Sequence, residues 1–548
     1  MSVLRQVTYI SFARNCGSKR IRSSFDNVGG SVSYALVIAT ATALCLATAY
    51  AVLKAVHNRY FHALCHFPGP ALASVTSLWY FRTVRYGIAE NCQKPLHDKY
   101  GAFVRIAPDT IAISDPAAIA TIYGPKRRNE PVFEKAVFYE SFRSNIAGAR
   151  HDSFSERNES KHAERRKIQA PLYTQGAVLK YEPCIDRIIE RLRSRLHSIA
   201  CTSEVTDMSI WLRKYAFDVL GEIFFGREGG FGMLEHGVDY NGWCKTIVAT
   251  QDIGAASSYM PYGLRTIWIL AELVFGGPTA RQGINGIGKL VTDATETVED
   301  RSQVRKRDHD AVSREDMLSR LIEAVENRGD EVGWNMHDVS VEAYSAIWAG
   351  ADTTAIALTS IFYHVHKSPE VLRRLRSEID HAFSTGAMGM PVRFKDANQL
   401  PYLVAVIKEG MRVHHSLGTG LPRLVPKGGA DVAGQWLPGG TTVIMNPNAL
   451  NLDTTIFGND ADIFRPERWL DEGRVAVMSR HDLSFGYGPR ICAGRHITMT
   501  EIYKLMPAVL RWYDFEFETP DTEWKVWHGW FQHQRNVNVR VKLRQIDG

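Results

Sequence analysis

The strongest constraint on this chain is one loop near its C-terminal end: Phe485-Gly486-Tyr487-Gly488-Pro489-Arg490-Ile491-Cys492-Ala493-Gly494-Arg495. A cysteine that serves as a thiolate metal ligand needs amides aimed at the sulfur, positive charge nearby and shelter from water. Gly488 and Gly494 permit the unusual dihedrals that such a bend asks for. Arg490 offers a planar fork to an acidic group of a bound cofactor, and Phe485 can shield the sulfur. Residues 496–511 are apolar at helical spacing, so Cys492 precedes a helix N-terminus, whose dipole also favours thiolate. The other cysteines, at positions 16, 45, 65, 92, 184, 201 and 244, form no CxxC pair. Zinc and thioredoxin-like readings are therefore weak, and the spread fits reduced thiols in a cytosol-facing protein.

Five further segments carry chemistry. Glu409 and Arg412 form an ExxR pair on one helical face; alone this is uninformative, since about one such pair is expected by chance in a chain this long. It is followed by Phe464-Arg465-Pro466-Glu467-Arg468-Trp469. Ala349-Gly350-Ala351-Asp352-Thr353-Thr354 places small residues, an acid and an alcohol inside a helix predicted over 338–366. There Thr353 can bond to the preceding turn and open the helix. His162-Ala163-Glu164-Arg165-Arg166 and Leu421-Pro422-Arg423 add candidate cations.

The cysteine loop matches FxxGxRxCxG at each fixed position, and with these segments in order the chain resembles the cytochrome P450 family. It looks most like the fungal microsomal, pisatin-demethylase-like type, from the hinge near Phe67 to about residue 545. The resemblance implies a mostly α fold with a small β portion, the cytochrome P450 fold, preceded by an N-terminal transmembrane helix. It implies haem b as cofactor and Cys492 as the axial ligand of its iron. Arg490, Phe485, Gly488 and Gly494 then belong to the cofactor loop, and Arg166, His162 and Arg423 to the haem propionates. His162 stands where the family has Trp. Glu409, Arg412 and Arg468 correspond to a buried structural network, and Asn451 replaces a His common among relatives. Asp352 and Thr353 correspond to the acid–alcohol pair that delivers protons to bound dioxygen.

Upstream, Val32 to Leu53 carries no charge. As a helix it spans about 33 Å, enough for a bilayer core of about 30 Å. Residues 1–31 form a basic segment with Arg5, Arg14, Lys19, Arg20 and Arg22 against Asp26. Anchor, mitochondrial presequence, signal peptide and buried helix all fit this pattern; the long region before Val32 weighs against a signal. Counting charges across the span would keep the N-terminus cytosolic and translocate the rest. The resemblance implies the opposite: a catalytic domain on the cytosolic face of the endoplasmic reticulum, with a mitochondrial location ranked lower. Residues 54–70 read as a linker ending in the stiff hinge Phe67-Pro68-Gly69-Pro70, and 71–548 as one haem-thiolate domain.

Hydrophobic residues make up 45 % and charged residues 23 %, which excludes a disordered or collagen-like chain. A net charge of +6 over this length is no nucleic-acid signature. Strands are predicted at 102–106, 110–114, 440–445 and 536–543, and helices at 369–383 and 399–413. The functional expectation is a monooxygenase that uses O2, with NADPH electrons from a separate cytochrome P450 reductase, because no flavin-binding region follows Cys492. The resemblance also implies which segments face substrate; here they hold Phe133, Phe138, Tyr259, Met260, Leu417, Trp530 and Phe531, an apolar, aromatic set that suits a lipophilic small-molecule substrate, a terpenoid or polyketide-like secondary metabolite. The apolar stretch 259–275 could dip into the membrane. Competing readings are a reductase-independent isomerase or dehydratase, a detoxifying demethylase, and a non-enzymatic haem or membrane scaffold.

Overall fold

The computed structural model describes residues 22–126, 130–144, 146–307, 316–519, 521 and 523–545. Most of the basic N-terminal segment lies outside them. The chain forms two compact units, Met1–His62 and Ala63–Gly548. In the first, the Arg22–Val56 helix runs without a break into a π-helical turn, His57–Phe61. Helix therefore extends through positions 54–61, which read as linker in the sequence. Val37–Phe61 is long and apolar enough to cross a membrane, with a mean hydropathy of 1.7.

The second unit is mostly helical with a small β portion, as predicted. Its largest sheet orders Phe103–Ala107, Thr110–Ile113, Thr442–Ile444, Arg423–Leu424 and Glu134–Lys135. The last two strands pair antiparallel with Lys135 opposite Arg423. Neighbouring strands therefore present two cations side by side, a pairing that is unfavourable unless an anion compensates it. The Lys525–His528 and Gln532–Arg535 strands form a hairpin whose turn carries Trp530 and Phe531.

The helix predicted over 338–366 is two helices, Met336–Gly350 and Asp352–Lys367, interrupted at Ala351 (φ −97°, ψ −51°). The cause is local. Thr353 Oγ1 donates to the Ala349 carbonyl at 2.8 Å and Thr354 Oγ1 to the Gly350 carbonyl at 3.1 Å. Hydroxyls that bond back to the preceding turn bend a helix.

The Pro401–Val413 helix is locked by a buried charge network. Glu409 accepts from Arg412 Nε (2.8 Å) and Nη2 (2.7 Å), Arg468 Nε (2.9 Å), Trp469 Nε1 (2.8 Å) and the Arg465 amide (2.8 Å). Arg412 also donates to the Asn451 and Ala461 carbonyls, both at 2.6 Å. Asn451 thus joins the network through its backbone, and its side chain donates to the Arg412 carbonyl at 3.3 Å. Burial alone would raise the Glu409 carboxyl; the Arg412 and Arg468 guanidiniums hold it below the usual range. Removing one member leaves buried charges unpaired, a cost of about 3–5 kcal/mol. Glu409→Ala is therefore expected to lower the denaturant midpoint sharply, and an unchanged midpoint would contradict a stabilising role for this network.

Candidate active site

Cys492 sits between a short 3₁₀ turn, Gly488–Arg490, and the Arg495–Trp512 helix. Its amide donates to the Phe485 carbonyl at 2.9 Å, closing the loop. Gly486 (φ +75°) and Gly488 (φ +67°) make the bend. At Gly488 a Cβ would lie 2.1 Å from the Tyr123 carbonyl oxygen, so glycine is required for space as well as for conformation. Gly494 corrects the expectation from sequence. It has ordinary dihedrals (φ −75°, ψ 2°) as the helix N-cap, and a Cβ there would meet only the Cys492 sulfur, at an ordinary contact distance of 4.0 Å. Burial pushes the Cys492 thiol up; the amides of Gly494 and Arg495 and the Arg166 charge pull it down.

The exposed surface of Cys492 opens into an interior cavity of about 500 Å³, mostly apolar in lining. Ala349, Gly350 and Thr353 at the helix break line the same cavity, as do Phe485, Leu417, Trp530 and Phe531. Phe133, Phe138, Tyr259 and Met260 do not: they are buried in the core. Phe138 packs tilted against Trp530 with ring centroids 5.2 Å apart, a second layer under the lining residue. Asp352 also stays outside. Its carboxylate is fully buried 3.0 Å from Arg213 Nε, and Arg213 Nη2 donates to His533 Nδ1 at 2.7 Å. Burial raises the Asp352 carboxyl against the pull of Arg213.

One edge of the cavity is cationic. Lys135, Arg166, Arg423, Arg490 and His162 line it. Arg490 is committed to Glu159, with Nε 3.1 and 3.0 Å and Nη2 2.9 Å from its carboxylate oxygens. Its remaining fork donates to the Glu156 carbonyl at 2.8 Å. Arg423 Nη1 donates to Tyr139 Oη at 2.7 Å. Burial and the surrounding cations push His162 down to about 3, so it is a neutral imidazole. Lys135 is 4 % exposed, donates to the Phe154 carbonyl at 2.5 Å, and has no carboxylate at ion-pair distance among the described residues. Burial and the charges of Arg490 and Arg423 drive its pKa well down.

Glu159 neutralises Arg490, while Arg166, Arg423 and Lys135 have no carboxylate at ion-pair distance among the described residues. Such a cluster of donors suits a cofactor edge that carries carboxylates, and with a thiol in the wall and an apolar interior the residues fit haem b. Lys135 escaped the sequence reading. Its only signal was a lone cation within Phe133-Glu134-Lys135-Ala136-Val137-Phe138; its partner strand lies far along the chain.

Comparison with known proteins gives the same chemistry. A cytochrome P450 family profile matches residues 68–539. The chain is 34 % identical over 500 residues to the cytochrome P450 monooxygenase gsfF of Penicillium aethiopicum, covering 91 % of this chain and 97 % of that protein. It is 36 % identical over 489 residues to the cytochrome P450 monooxygenase cicH of Emericella nidulans, covering 88 % and 94 %. A pisatin demethylase of Fusarium vanettenii is 34 % identical over 495 residues, covering 88 % and 91 %.

The geometry at Gly488 makes a direct prediction. Gly488→Ala forces both a strained φ and a backbone clash, at a cost of about 1–3 kcal/mol for the strain alone. A thermal midpoint lowered by several degrees is expected; wild-type stability would show that the loop relaxes freely around Tyr123.

Proposed function

The chain belongs to the cytochrome P450 family and is a haem b monooxygenase, and we propose that it inserts oxygen into a hydrophobic secondary metabolite with a terpenoid or polyketide-like skeleton. The observation that carries this reading is the Cys492 sulfur opening into one apolar cavity with a cationic edge and a broken helix in its wall. Haem held by a thiolate activates dioxygen for insertion into C–H bonds. The protein binds, orients and excludes water. Cys492 would hold the iron through its sulfur, with Phe485 covering it. Arg166, Arg423, Lys135 and neutral His162 hold the acidic edge, while Arg490 braces the loop through Glu159. Apolar side chains such as Leu417, Trp530 and Phe531 position a lipophilic ligand.

Thr353 Oγ1 holds a proton at the helix break, where its bond to the Ala349 carbonyl can be exchanged for one to a bound molecule. Asp352 supplies that position from behind the wall by turning from Arg213 toward the cavity. Oxidative demethylation is a second reading of the same chemistry, favoured by the likeness to pisatin demethylase. Electrons come from a separate NADPH–cytochrome P450 reductase. The Val37–Phe61 helix anchors the enzyme to the endoplasmic reticulum with the catalytic domain in the cytosol. Protease added to sealed microsomes should then digest the catalytic domain, and protection would place it in the lumen.

With added reductase, a lipophilic substrate should stimulate NADPH oxidation and yield a product one oxygen atom heavier, or a demethylated one. Turnover without reductase would mark an isomerase or dehydratase instead. Thr353→Ala is expected to keep haem and NADPH consumption but to release peroxide in place of product. Unchanged coupling would remove Thr353 from proton delivery.

A further inference from the structure

Three acids line the cavity: Asp152, Glu342 and Glu501. Asp152 is spent on its own turn, accepting from the Phe154 and Ser155 amides and from Ser155 Oγ. Glu501 lies on the Arg495–Trp512 helix that follows the cysteine loop. Glu342 is placed differently. It stands on the Met336–Gly350 helix, where Ser345 and Ala349 share its face and line the same cavity. Ala349 is the residue whose carbonyl holds Thr353 Oγ1. A rise of about 1.5 Å per residue puts Glu342 about 10 Å up the helix from that point.

The surroundings of Glu342 are short of positive charge. Arg165 Nε donates to its Oε1 at 2.9 Å, but Arg165 Nη2 is shared with Asp338 at 3.2 Å. Asp152 adds a third carboxylate nearby. The groups that face Glu342 are Arg165 and Gln169 from the Glu159–Gln169 helix, Asp152 from the loop before it, and Tyr173 from the turn after it. Asp338 lies one turn back on its own helix. Two carboxylates sharing one buried guanidinium, with Asp152 close to Glu342, make an environment that welcomes a hydrogen-bond donor and repels an acceptor or an anion.

Resting on the monooxygenase reading above, we propose that Glu342 is a specificity-determining residue. It accepts a hydrogen bond from an O–H or N–H group on an otherwise apolar substrate, about 10 Å along the helix from the break that faces the oxidised carbon. The acid thus acts as a ruler: the donor end is held at Glu342 and the far end is presented at Thr353. This narrows the substrate class to lipophilic molecules that carry a hydroxyl or amine remote from the oxidised position.

A pH signature follows. Burial pushes the Glu342 carboxyl up to about 7, against the pull of Arg165. Above that pH the carboxylate is a strong acceptor; below it the group carries a proton and its acceptor strength falls. Affinity for a neutral donor should therefore rise with pH through 7. The cavity histidines stay silent in this window, since His162 and His414 are pushed down to about 3 and burial also lowers His415.

The test is a Soret difference titration of the purified haem-loaded protein with polycyclic phenols, each paired with its own methyl ether, oestrone and its 3-methyl ether among them. It is run at pH 6 and pH 8. The phenols should bind about tenfold more tightly than their ethers at pH 8, and lose most of that preference at pH 6. Glu342→Gln keeps an acceptor for Arg165, so it should fold and should show the same small preference at both pH values. A panel in which no wild-type phenol binds more tightly than its ether, at either pH, overturns the proposal. So does a preference that is the same at both pH values in the wild type. Both results stand on the wild type alone, whatever the variant's stability. The carbonyl spectrum of the same preparation keeps the two claims apart: a thiolate band with no phenol preference sinks the role of Glu342 only, whereas absence of the band sinks the reading beneath it.

Discussion

A thiol sunk in an apolar wall ionises only if something pays back the lost water. At Cys492 the backbone supplies part of this: the Gly494 and Arg495 amides point at the sulfur, and the Arg166 charge lies near. Burial still wins, leaving the thiol above its ordinary range. A coordinated metal would complete the compensation, because a ligating thiol is deprotonated outright. The rest of the site answers to that requirement. Gly486 and Gly488 bend the loop, Glu159 pins Arg490, and the cationic edge would give the cofactor's carboxylates a fixed seat.

Two devices hold this arrangement at a distance. The Glu409 network ties the Pro401–Val413 helix to the 457–469 segment, using donors from Arg412, Arg465, Arg468 and Trp469. On the other side, Thr354 Oγ1 meets Thr498 Oγ1 at 2.9 Å, joining the broken helix to the helix that follows Cys492. The two faces of the cavity are therefore braced against each other through a hydroxyl pair. The helix break itself needs only local chemistry, since the hydroxyls that open it lie within a turn of the carbonyls they occupy.

What the sequence made legible is what depends on near neighbours. The cysteine loop, the ExxR pair and the Asp352-Thr353 step are short because their chemistry is local, and each could be read from residues a few positions apart. Contacts between distant segments could not. Lys135 meets Arg423 only through strand pairing, and Arg490 finds Glu159 only once the Glu159–Gln169 helix is docked. Asp352 was legible as an acid beside an alcohol, but its turn toward Arg213 depends on the Met208–Ile223 helix packing alongside. The aromatic set shows the same limit: the resemblance implies Phe138 and Tyr259 as lining, whereas Phe138 packs behind Trp530 and Tyr259 packs behind Phe138. Glu342 gave no signal at all, because a lone acid in a helix reads as a solvated face until three buried neighbours surround it.

The central claim is that the Cys492 sulfur binds iron as a thiolate. The most direct measurement is the absorbance difference spectrum of the reduced, freshly purified protein with carbon monoxide, alongside Cys492→Ala. A Soret band near ~450 nm in the wild type, lost in the variant, is the result expected for thiolate ligation. A band near ~420 nm in folded wild-type protein, or a ~450 nm band that survives Cys492→Ala, would contradict it.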